Sequence, residues 1–391
     1  MSLHPRTNCH VPEETERVAR AIFPQANLVM RMYDELGMIF GDSEFADLFP
    51  VQGQPAEAPA RLALVTILQF MEGLTDRQAS DAVRTRIDWK YLLCLELTDT
   101  GFHHSVLSEF RSRLLAHGAE RRLFDAIVAV ARTRSLLAAG GRQRTDSTHI
   151  LGAMRTHTRL EVVIETLRHT LNVLADVAPD WLRTHTSAEW VDRYGPRANE
   201  YRLPKSDAKR MELAEQTGRD GIQLLTAIYT DCVIPILGTL PAVETLRQVW
   251  VQKFAAVNDR IEWRRNDNLP PAGRYIGSPY DTQARYNMKR TTAWTGYKVH
   301  LTETCEVERP NLITNVETTT AAVSDDAVTA TIHNALADRA LLPDIHIADT
   351  GYVNSELFVD GHYLCTFRSY LWSMCTLTAV ATSGGTEKVQ R

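Results

Sequence analysis

The chain has 391 residues, of which 44% are hydrophobic and 23% are charged, a composition typical of a globular protein with two or three domains. Its formal net charge of −5 excludes an overall basic field for nucleic acid, so any DNA contact has to come from local clusters. The six cysteines show no C-x-x-C spacing and no apolar run could span a bilayer. These features disfavour a disulfide framework, a zinc site and a membrane anchor, and they favour a cytoplasmic protein.

The first 140 residues are expected to be largely helical. Residues 1–58 are predicted to form an N-terminal arm that contains short helices. Residues 61–71 are apolar on nearly every side, which predicts a buried helix. Thr75 and Gln78 form the pattern of a capping box, which predicts that a further helix begins there. The sequence therefore predicts a compact helical domain after the arm.

The helix that begins at Thr75 is expected to present three arginines to solvent. These are Arg77, Arg84 and Arg86. Compact helices joined by a tight turn, here at Gly73, can form a helix-turn-helix module in which such arginines contact DNA. The alternative is an ordinary helical bundle with solvated arginines, and the residue pattern leaves both interpretations open.

A single acidic residue lies in a short polar stretch after this domain. Gly140-Gly141 is expected to end the preceding helix, and Arg142–Ile150 predicts a strand that carries Asp146 among Ser and Thr side chains. A carboxylate held rigidly on a strand suits a hard cation such as Mg²⁺. The alternative is a turn or cap residue without a metal.

The middle of the chain is predicted to be a long helical region, which separates the strand of Asp146 from the later strands. Residues 160–177 are amphipathic, and Pro204 and Pro241 each stand where a helix is expected to begin. The region 156–275 is therefore predicted to be an all-helical insertion.

Strand and helix patterns alternate after residue 275. Strands are predicted at 298–303 and 311–320, then a helix from Ala327 to about Leu341, then a strand at 345–348 that delivers Asp349. Two strand-end aspartates can share one metal site if their strands are neighbours. Asp146 and Asp349 are therefore the candidate catalytic and metal-binding residues, with Mg²⁺ or Mn²⁺ as the cation.

Basic and aromatic side chains are interleaved just before these strands. The basic residues are Arg285, Lys289, Arg290 and Lys298, and the aromatic ones are Tyr286, Trp294 and Tyr297. Such a mixture beside a metal site suits the phosphate backbone of nucleic acid. An exposed loop anchored by Trp294 explains the same pattern without a ligand.

Taken together, these stretches make the chain similar to the DDE transposases of bacterial insertion sequences, in the subgroup with a helical N-terminal domain and a large helical insertion. The motifs that carry the resemblance are Leu74-Thr-Asp-Arg-Gln-Ala, Phe102-His-His-Ser-Val-Leu-Ser-Glu-Phe-Arg111, Arg144-Thr-Asp-Ser-Thr-His149, Leu203-Pro-Lys-Ser206, Tyr280-Asp-Thr-Gln-Ala-Arg-Tyr286, Trp294-Thr-Gly-Tyr-Lys298 and Ala348-Asp-Thr-Gly-Tyr352. The set is specific as a whole and covers roughly residues 25–360.

The resemblance implies a mixed α and β chain, in which a helical insertion interrupts an RNase H-like core. It places the first family acid on the first strand, at Asp146, and the second after the fourth strand, at Asp349. The third family acid is a Glu on a later helix, for which the chain has no convincing match; Glu356 and Glu387 are the glutamates that follow Asp349. We therefore expect the core to be incomplete and the tail from Leu364 to be irregular, as after a frameshift or a truncation.

These predictions divide the chain into five segments. They are an arm (1–58), a helical DNA-binding domain (59–140), a split catalytic core (141–155 and 276–363), an insertion (156–275) and an aberrant tail (364–391). The implied activity is metal-dependent cleavage and strand transfer of double-stranded DNA at the terminal inverted repeats of the element, by a homo-oligomer assembled on DNA. Because the third acid is missing, activity is expected to be impaired. The alternatives are a non-catalytic DNA-binding remnant of a transposase and, more remotely, a small-molecule hydrolase, for which no Gly-x-Ser-x-Gly motif is present.

Overall fold

The structure, a computed structural model, describes most of the chain. The described residues are 2–5, 10–137, 140–152, 157–199, 203–230, 234–257, 260–289 and 291–353, with the backbone of 364–368 and 376–380. The chain divides into two compact units, Met1–Ala138 and Ala139–Arg391. No helix in the described part of the chain is both long and apolar enough to cross a membrane.

The first unit is helical. Its helices are α1 (Glu13–Ile22), α2 (Leu28–Leu36), α3 (Pro59–Glu72), α4 (Asp76–Thr85), α5 (Ile87–Leu92), α6 (Ser105–Ala116) and α7 (Arg121–Thr133), with a 3-10 helix at Asp42–Leu48. The predicted buried helix is α3, in which Leu64 and Leu68 are fully buried. The residues predicted to be an arm belong to the same unit, because Phe45 and Phe110 pack in the core around α3.

The turn between α3 and α4 forms as its sequence predicts. Gly73 ends α3 in the left-handed conformation, with φ 66° and ψ 34°. The Thr75 hydroxyl accepts a hydrogen bond from the Gln78 amide, and the Gln78 side chain accepts one from the Thr75 amide at 2.9 Å. This reciprocal capping box fixes the start of α4.

The second unit contains one large mixed sheet. Its strands are β1 (Arg142–Leu151), β4 (Arg285–Lys289), β5 (Thr292–Thr304), β6 (Ile313–Thr320), β7 (Ile345–Asp349), β8 (Leu364–Arg368) and β9 (Thr376–Val380). The order is β4-β5-β1-β7-β9-β8, and β6 also pairs with β5. The β5 strand is antiparallel to both β1 and β6, whereas β7 is parallel to β1. Helix α13 (Asp326–Asp338) connects β6 to β7.

A glycine allows β1 and β5 to approach closely. Gly296 pairs with Leu151 and has φ 155°. A Cβ at this position would lie 2.2 Å from the carbonyl oxygen of Ile150, so only glycine fits here without a shift of the backbone. This explains the glycine in the Trp294-Thr-Gly-Tyr-Lys298 motif.

The insertion has its own hydrophobic core and contains helices α8 (Arg159–Val177), α9 (Pro179–His185), α10 (Ala188–Tyr194), α11 (Asp207–Thr230) and α12 (Pro241–Lys253). The prediction that it is all-helical is wrong, because β2 (Phe254–Val257) and β3 (Arg260–Trp263) form a two-stranded antiparallel sheet. Strands this short carry little periodicity in sequence. The hairpin stays separate from the large sheet.

The tail also differs from the irregular segment that the sequence predicted. Strand β9 pairs with β7, and β8 pairs with β9, both in the antiparallel direction. Backbone hydrogen bonds between strands do not require periodic side chains, so these strands leave no pattern in the sequence. The remaining tail residues, with Glu356 and Glu387, lie outside the described part of the chain.

Candidate active site on β1 and β7

The parallel pairing of β1 with β7 brings the two predicted aspartates together. Thr145 pairs with Ala348, and Asp146 and Asp349 are the next residues on the two strands. Neighbouring strands lie about 4.8 Å apart, and residues at one level of a parallel pair project to the same face. Thr145 and Ala348 are buried, whereas Asp146 is exposed and Asp349 is half-buried. The two carboxylates therefore lie side by side on the open face.

Backbone amides orient both carboxylates. Oδ1 of Asp146 accepts a hydrogen bond from the Ser147 amide at 2.7 Å. Oδ1 of Asp349 accepts one from the Gly351 amide at 2.9 Å and so caps the 3-10 helix Thr350–Tyr352. Neither aspartate has an ion-pair partner among the described residues. Each keeps a carboxylate oxygen for a cation.

A third carboxylate, Asp325, lies beside Asp349 and was missed by sequence reasoning. A Cβ built on Gly351 would lie 3.0 Å from Oδ1 of Asp349 and 3.5 Å from Oδ2 of Asp325. Asp325 stands at the N-terminal cap of α13. Its side chain makes no capping hydrogen bond; instead it accepts one from Lys298 Nζ at 2.7 Å. No feature of the local sequence distinguishes an aspartate whose side chain caps a helix from one whose side chain binds a lysine.

Lys298 differs from the sequence prediction, which placed it against DNA phosphates. Its side chain is 11% exposed and forms an ion pair with Asp325. Because β5 alternates buried and half-buried residues, Lys298 falls on the buried face with His300 and Thr302. It therefore neutralises a carboxylate inside the protein rather than presenting a charge to solvent.

A buried hydrogen-bond network lies behind the two aspartates. The Tyr352 hydroxyl is 2.7 Å from Nδ1 of His300. Nε2 of His300 is 3.2 Å from the Thr319 hydroxyl. Burial lowers the pKa of His300 and raises the pKa of Tyr352. Both side chains are therefore neutral at pH 7.

The carboxylates of Asp146 and Asp349 form a small donor set, but one that suits a hard divalent cation. Two carboxylates on neighbouring strands, oriented by backbone amides, supply the oxygen ligands that Mg²⁺ and Mn²⁺ prefer. Within the described residues, no group of three or more His, Cys, Asp or Glu side chains is placed to hold a metal ion. Asp146 and Asp349 would be the protein ligands, and water and substrate oxygens would complete the coordination.

The predicted DNA-contacting residues have different environments. Arg77 and Lys289 are exposed, and Arg84, also exposed, donates a hydrogen bond to the carbonyl of Thr100. Arg86 is held between Glu72 and Asp88, and Arg285 donates to the backbone carbonyls of Thr282 and Ala284. Arg290 lies outside the described residues. The described candidates that remain exposed to solvent are therefore Arg77, Arg84 and Lys289.

Comparison with known proteins supports a transposase family. Residues 17–113 match the family model of a transposase domain (DUF772). The matched segment spans α1 to most of α6 and so lies within the first unit. No curated protein and no solved structure shows significant similarity to the chain.

Proposed function

We propose that the chain is a DDE-type transposase of an insertion sequence, which binds the DNA ends of the element and cleaves and transfers phosphodiester bonds with Mg²⁺ or Mn²⁺. The observation that carries this proposal is the parallel pairing of β1 with β7, which makes neighbours of Asp146, within β1, and Asp349, the last residue of β7. The two residues are 203 positions apart in sequence, and only the parallel pairing of their strands makes them neighbours.

The order of the strands supports an RNase H-like core. Apart from the short β4, the strands of the core follow one another in the chain as β1, β5, β6 and β7, with α13 between β6 and β7, and they lie in the sheet in the order β6-β5-β1-β7. The first acid, Asp146, is on the first of these strands, and the second, Asp349, ends the fourth. The insertion enters between the first strand and the second. This arrangement agrees with the pattern that the family resemblance implies.

The chemistry follows from the donor set. A divalent cation at this site supplies Lewis-acid activation of a water or of a DNA 3′-hydroxyl and stabilises the leaving oxygen. Asp146 and Asp349 would bind it, and the amides of Ser147 and Gly351 would hold their carboxylates in a fixed orientation. Lys289, at the exposed end of β4, would contact DNA phosphate.

A second candidate function is favoured by one observation. Because the described residues contain no three-ligand metal group, the chain could bind element ends without cutting them. In the family pattern the third acid completes the coordination, and here Asp325 is engaged with Lys298. We therefore expect cleavage to be weak if it occurs, and stable DNA binding to be the more easily observed property.

A cleavage assay tests the proposal. Labelled DNA that flanks the coding sequence serves as candidate element ends, with Mg²⁺ or Mn²⁺ in the reaction. Cleavage by the native chain that is abolished in Asp146→Ala and in Asp349→Ala supports the DDE function. Asp338→Asn, at the exposed end of α13, is the matched control and should retain full activity.

Two other outcomes have separate meanings. Specific binding of the ends without cleavage would favour the non-catalytic DNA-binding protein. Absence of both DNA binding and metal binding would overturn the transposase proposal.

A further inference from the structure

We infer that Tyr352 is a positioning residue, whose hydroxyl ties the turn after Asp349 to β5, the strand that pairs with β1, and so sets the spacing of the two carboxylates. This inference rests on the proposed function, because it concerns the site where Asp146 and Asp349 would share a cation. It adds a residue to that site that does not itself bind metal.

The argument begins with the turn that carries Tyr352. Asp349 is followed at once by the 3-10 helix Thr350–Tyr352, and the amide that orients its carboxylate belongs to Gly351 within this turn. The position of the carboxylate therefore depends on the position of the turn. A turn of three residues has little intrinsic stability, so contacts outside it must hold it in place.

Tyr352 provides those contacts at both of its ends. Its backbone carbonyl accepts a hydrogen bond from the Thr329 hydroxyl of α13 at 2.7 Å. Its side chain is 2% exposed, and the hydroxyl at the far end of the ring lies 2.7 Å from Nδ1 of His300 on β5. Two separate elements, α13 and β5, thus hold one residue of the turn.

The position of His300 connects this contact to Asp146. His300 on β5 pairs with Ser147 on β1, and the Ser147 amide orients the carboxylate of Asp146. The hydrogen bond between Tyr352 and His300 therefore joins the turn that orients Asp349 to the strand pair that orients Asp146. A displacement of the turn by even a fraction of an ångström would change the distance between the two carboxylates.

His300 fixes the direction of that hydrogen bond. Its ring is fully buried and neutral, so Nδ1 can accept the Tyr352 proton while Nε2 donates to Thr319. These contacts form a chain of hydrogen bonds from β6 through β5 to the turn. The tautomer is assigned from this pattern of partners.

The test measures Mn²⁺ affinity by titration calorimetry and the EPR spectrum of bound Mn²⁺, with the full chain and no DNA. Tyr352→Phe keeps the buried ring and removes only the hydroxyl. Loss of a residue that orients metal ligands typically costs 10- to 100-fold in metal affinity, so we expect a Kd about 10-fold or more above that of the native chain. A changed EPR line shape at saturation would show altered ligand geometry.

The controls separate positioning from folding. Tyr194→Phe removes a buried hydroxyl that bonds to Asp220 in the insertion, and it should leave Mn²⁺ affinity unchanged. If Tyr352→Phe fails to fold, His300→Phe breaks the same link from the other side and should weaken Mn²⁺ binding to a similar degree. In the double variant the two losses should not add, because both remove one hydrogen bond.

The outcomes distinguish this inference from the function beneath it. Mn²⁺ binding by the native chain that is lost in Asp146→Ala, together with native affinity in Tyr352→Phe and His300→Phe, would overturn the positioning role and leave the proposed function intact. No Mn²⁺ binding by the native chain would overturn both.

Discussion

Lys298 and Asp325 form a buried ion pair beside Asp349, with Nζ 2.7 Å from Oδ1 and the two side chains 11% and 14% exposed. The pair joins β5 to the start of α13, the helix that leads to β7. It therefore stabilises the arrangement of the strands around the candidate site.

The first prediction concerns this pair. Lys298→Met leaves the Asp325 carboxylate buried without its cation, and we expect the free energy of unfolding to fall by about 3 kcal/mol. Replacing both residues, as Lys298→Met with Asp325→Leu, should cost less than the single change. Urea unfolding of the three proteins measures the effect. Lys289→Met is the exposed control, and equal stability of Lys298→Met and Lys289→Met would contradict the assignment.

The second prediction concerns the arginines of the first unit. Arg77 and Arg84 are exposed, so replacing both with Ala should weaken DNA binding and reduce the salt dependence of affinity by about one unit of slope for each phosphate that is no longer neutralised. Arg86→Ala should act differently, because it leaves the buried Asp88 without its ion-pair partner and should lower the melting temperature. Filter binding at several salt concentrations and thermal unfolding separate the two effects. A salt slope that stays native in the Arg77 and Arg84 double variant would place the DNA elsewhere.

The third prediction tests the close approach of β1 and β5. Gly296→Ala adds a Cβ that would lie 2.2 Å from the Ile150 carbonyl oxygen, at a φ of 155° that other residues rarely adopt. We expect destabilisation by at least about 2 kcal/mol. Gly277→Ala is the control, since its Cβ would meet Thr295 at an ordinary 3.4 Å. Similar melting temperatures for the two variants would show that the strands are not so close.

The fourth prediction concerns a buried lysine at the end of α12. Lys253 is 4% exposed, and its ammonium lies 3.7 Å from the centre of the Tyr275 ring. Burial, and then the nearby Arg159, lower the pKa of Lys253 to about 8. Between pH 8 and 10.5 the unfolded chain binds more protons than the folded chain, so this residue makes stability rise with pH across that window.

Lys253→Met removes that titration. At pH 7 it also removes a penalty of about 3 kcal/mol for burying the charge, although the cation–π attraction to the Tyr275 ring, about 1–2 kcal/mol, disappears as well. We expect a net gain of about 1–2 kcal/mol at pH 7 and a flatter profile from about pH 8 to 10, measured by urea unfolding. Lys209→Met, exposed on α11, should change neither. A less stable Lys253→Met protein at pH 7 would contradict this account.

The fifth prediction concerns acid sensitivity. His346 is 4% exposed, with Nε2 2.6 Å from the Thr145 hydroxyl and Nδ1 2.7 Å from His333. Burial, and then the charge of His333, lower the pKa of His346 to about 3, below its ordinary value of 6.5. Its contribution to stability is complete above pH 6.5 and is lost progressively as the pH falls toward 3.

His346→Asn keeps a polar side chain and removes the titration. Between about pH 6 and 4 the native chain should lose up to about 1.4 kcal/mol more per pH unit than the variant does. Thermal unfolding across that range measures the difference, with the exposed His149→Gln as control. Parallel profiles for native chain and His346→Asn would mean that the folded state accepts this proton without cost.

Features whose causes lie within a few residues could be predicted from the sequence. The capping box of Thr75 and Gln78 depends on residues three apart, and it forms as expected. The buried helix α3 was predicted for the same kind of reason, since its apolar residues share a single local segment. The strands that contain Asp146 and Asp349 were also predicted from the sequence. In each case residues typical of a turn stand at one end of the strand, and the residue pattern changes at the other.

Features that depend on which strands become neighbours were decided only by the tertiary structure. Lys298 was expected to contact phosphate, but it is buried and forms an ion pair with Asp325. No residue near Lys298 in the sequence indicates this pairing. The tail strands β8 and β9 form only because they pair with each other and with β7. This pairing uses backbone groups that every residue carries. The same pairing of β1 with β7 placed Asp146 beside Asp349, because hydrogen bonds between distant strands, unlike a cap or a turn, leave no spacing in the sequence to be read.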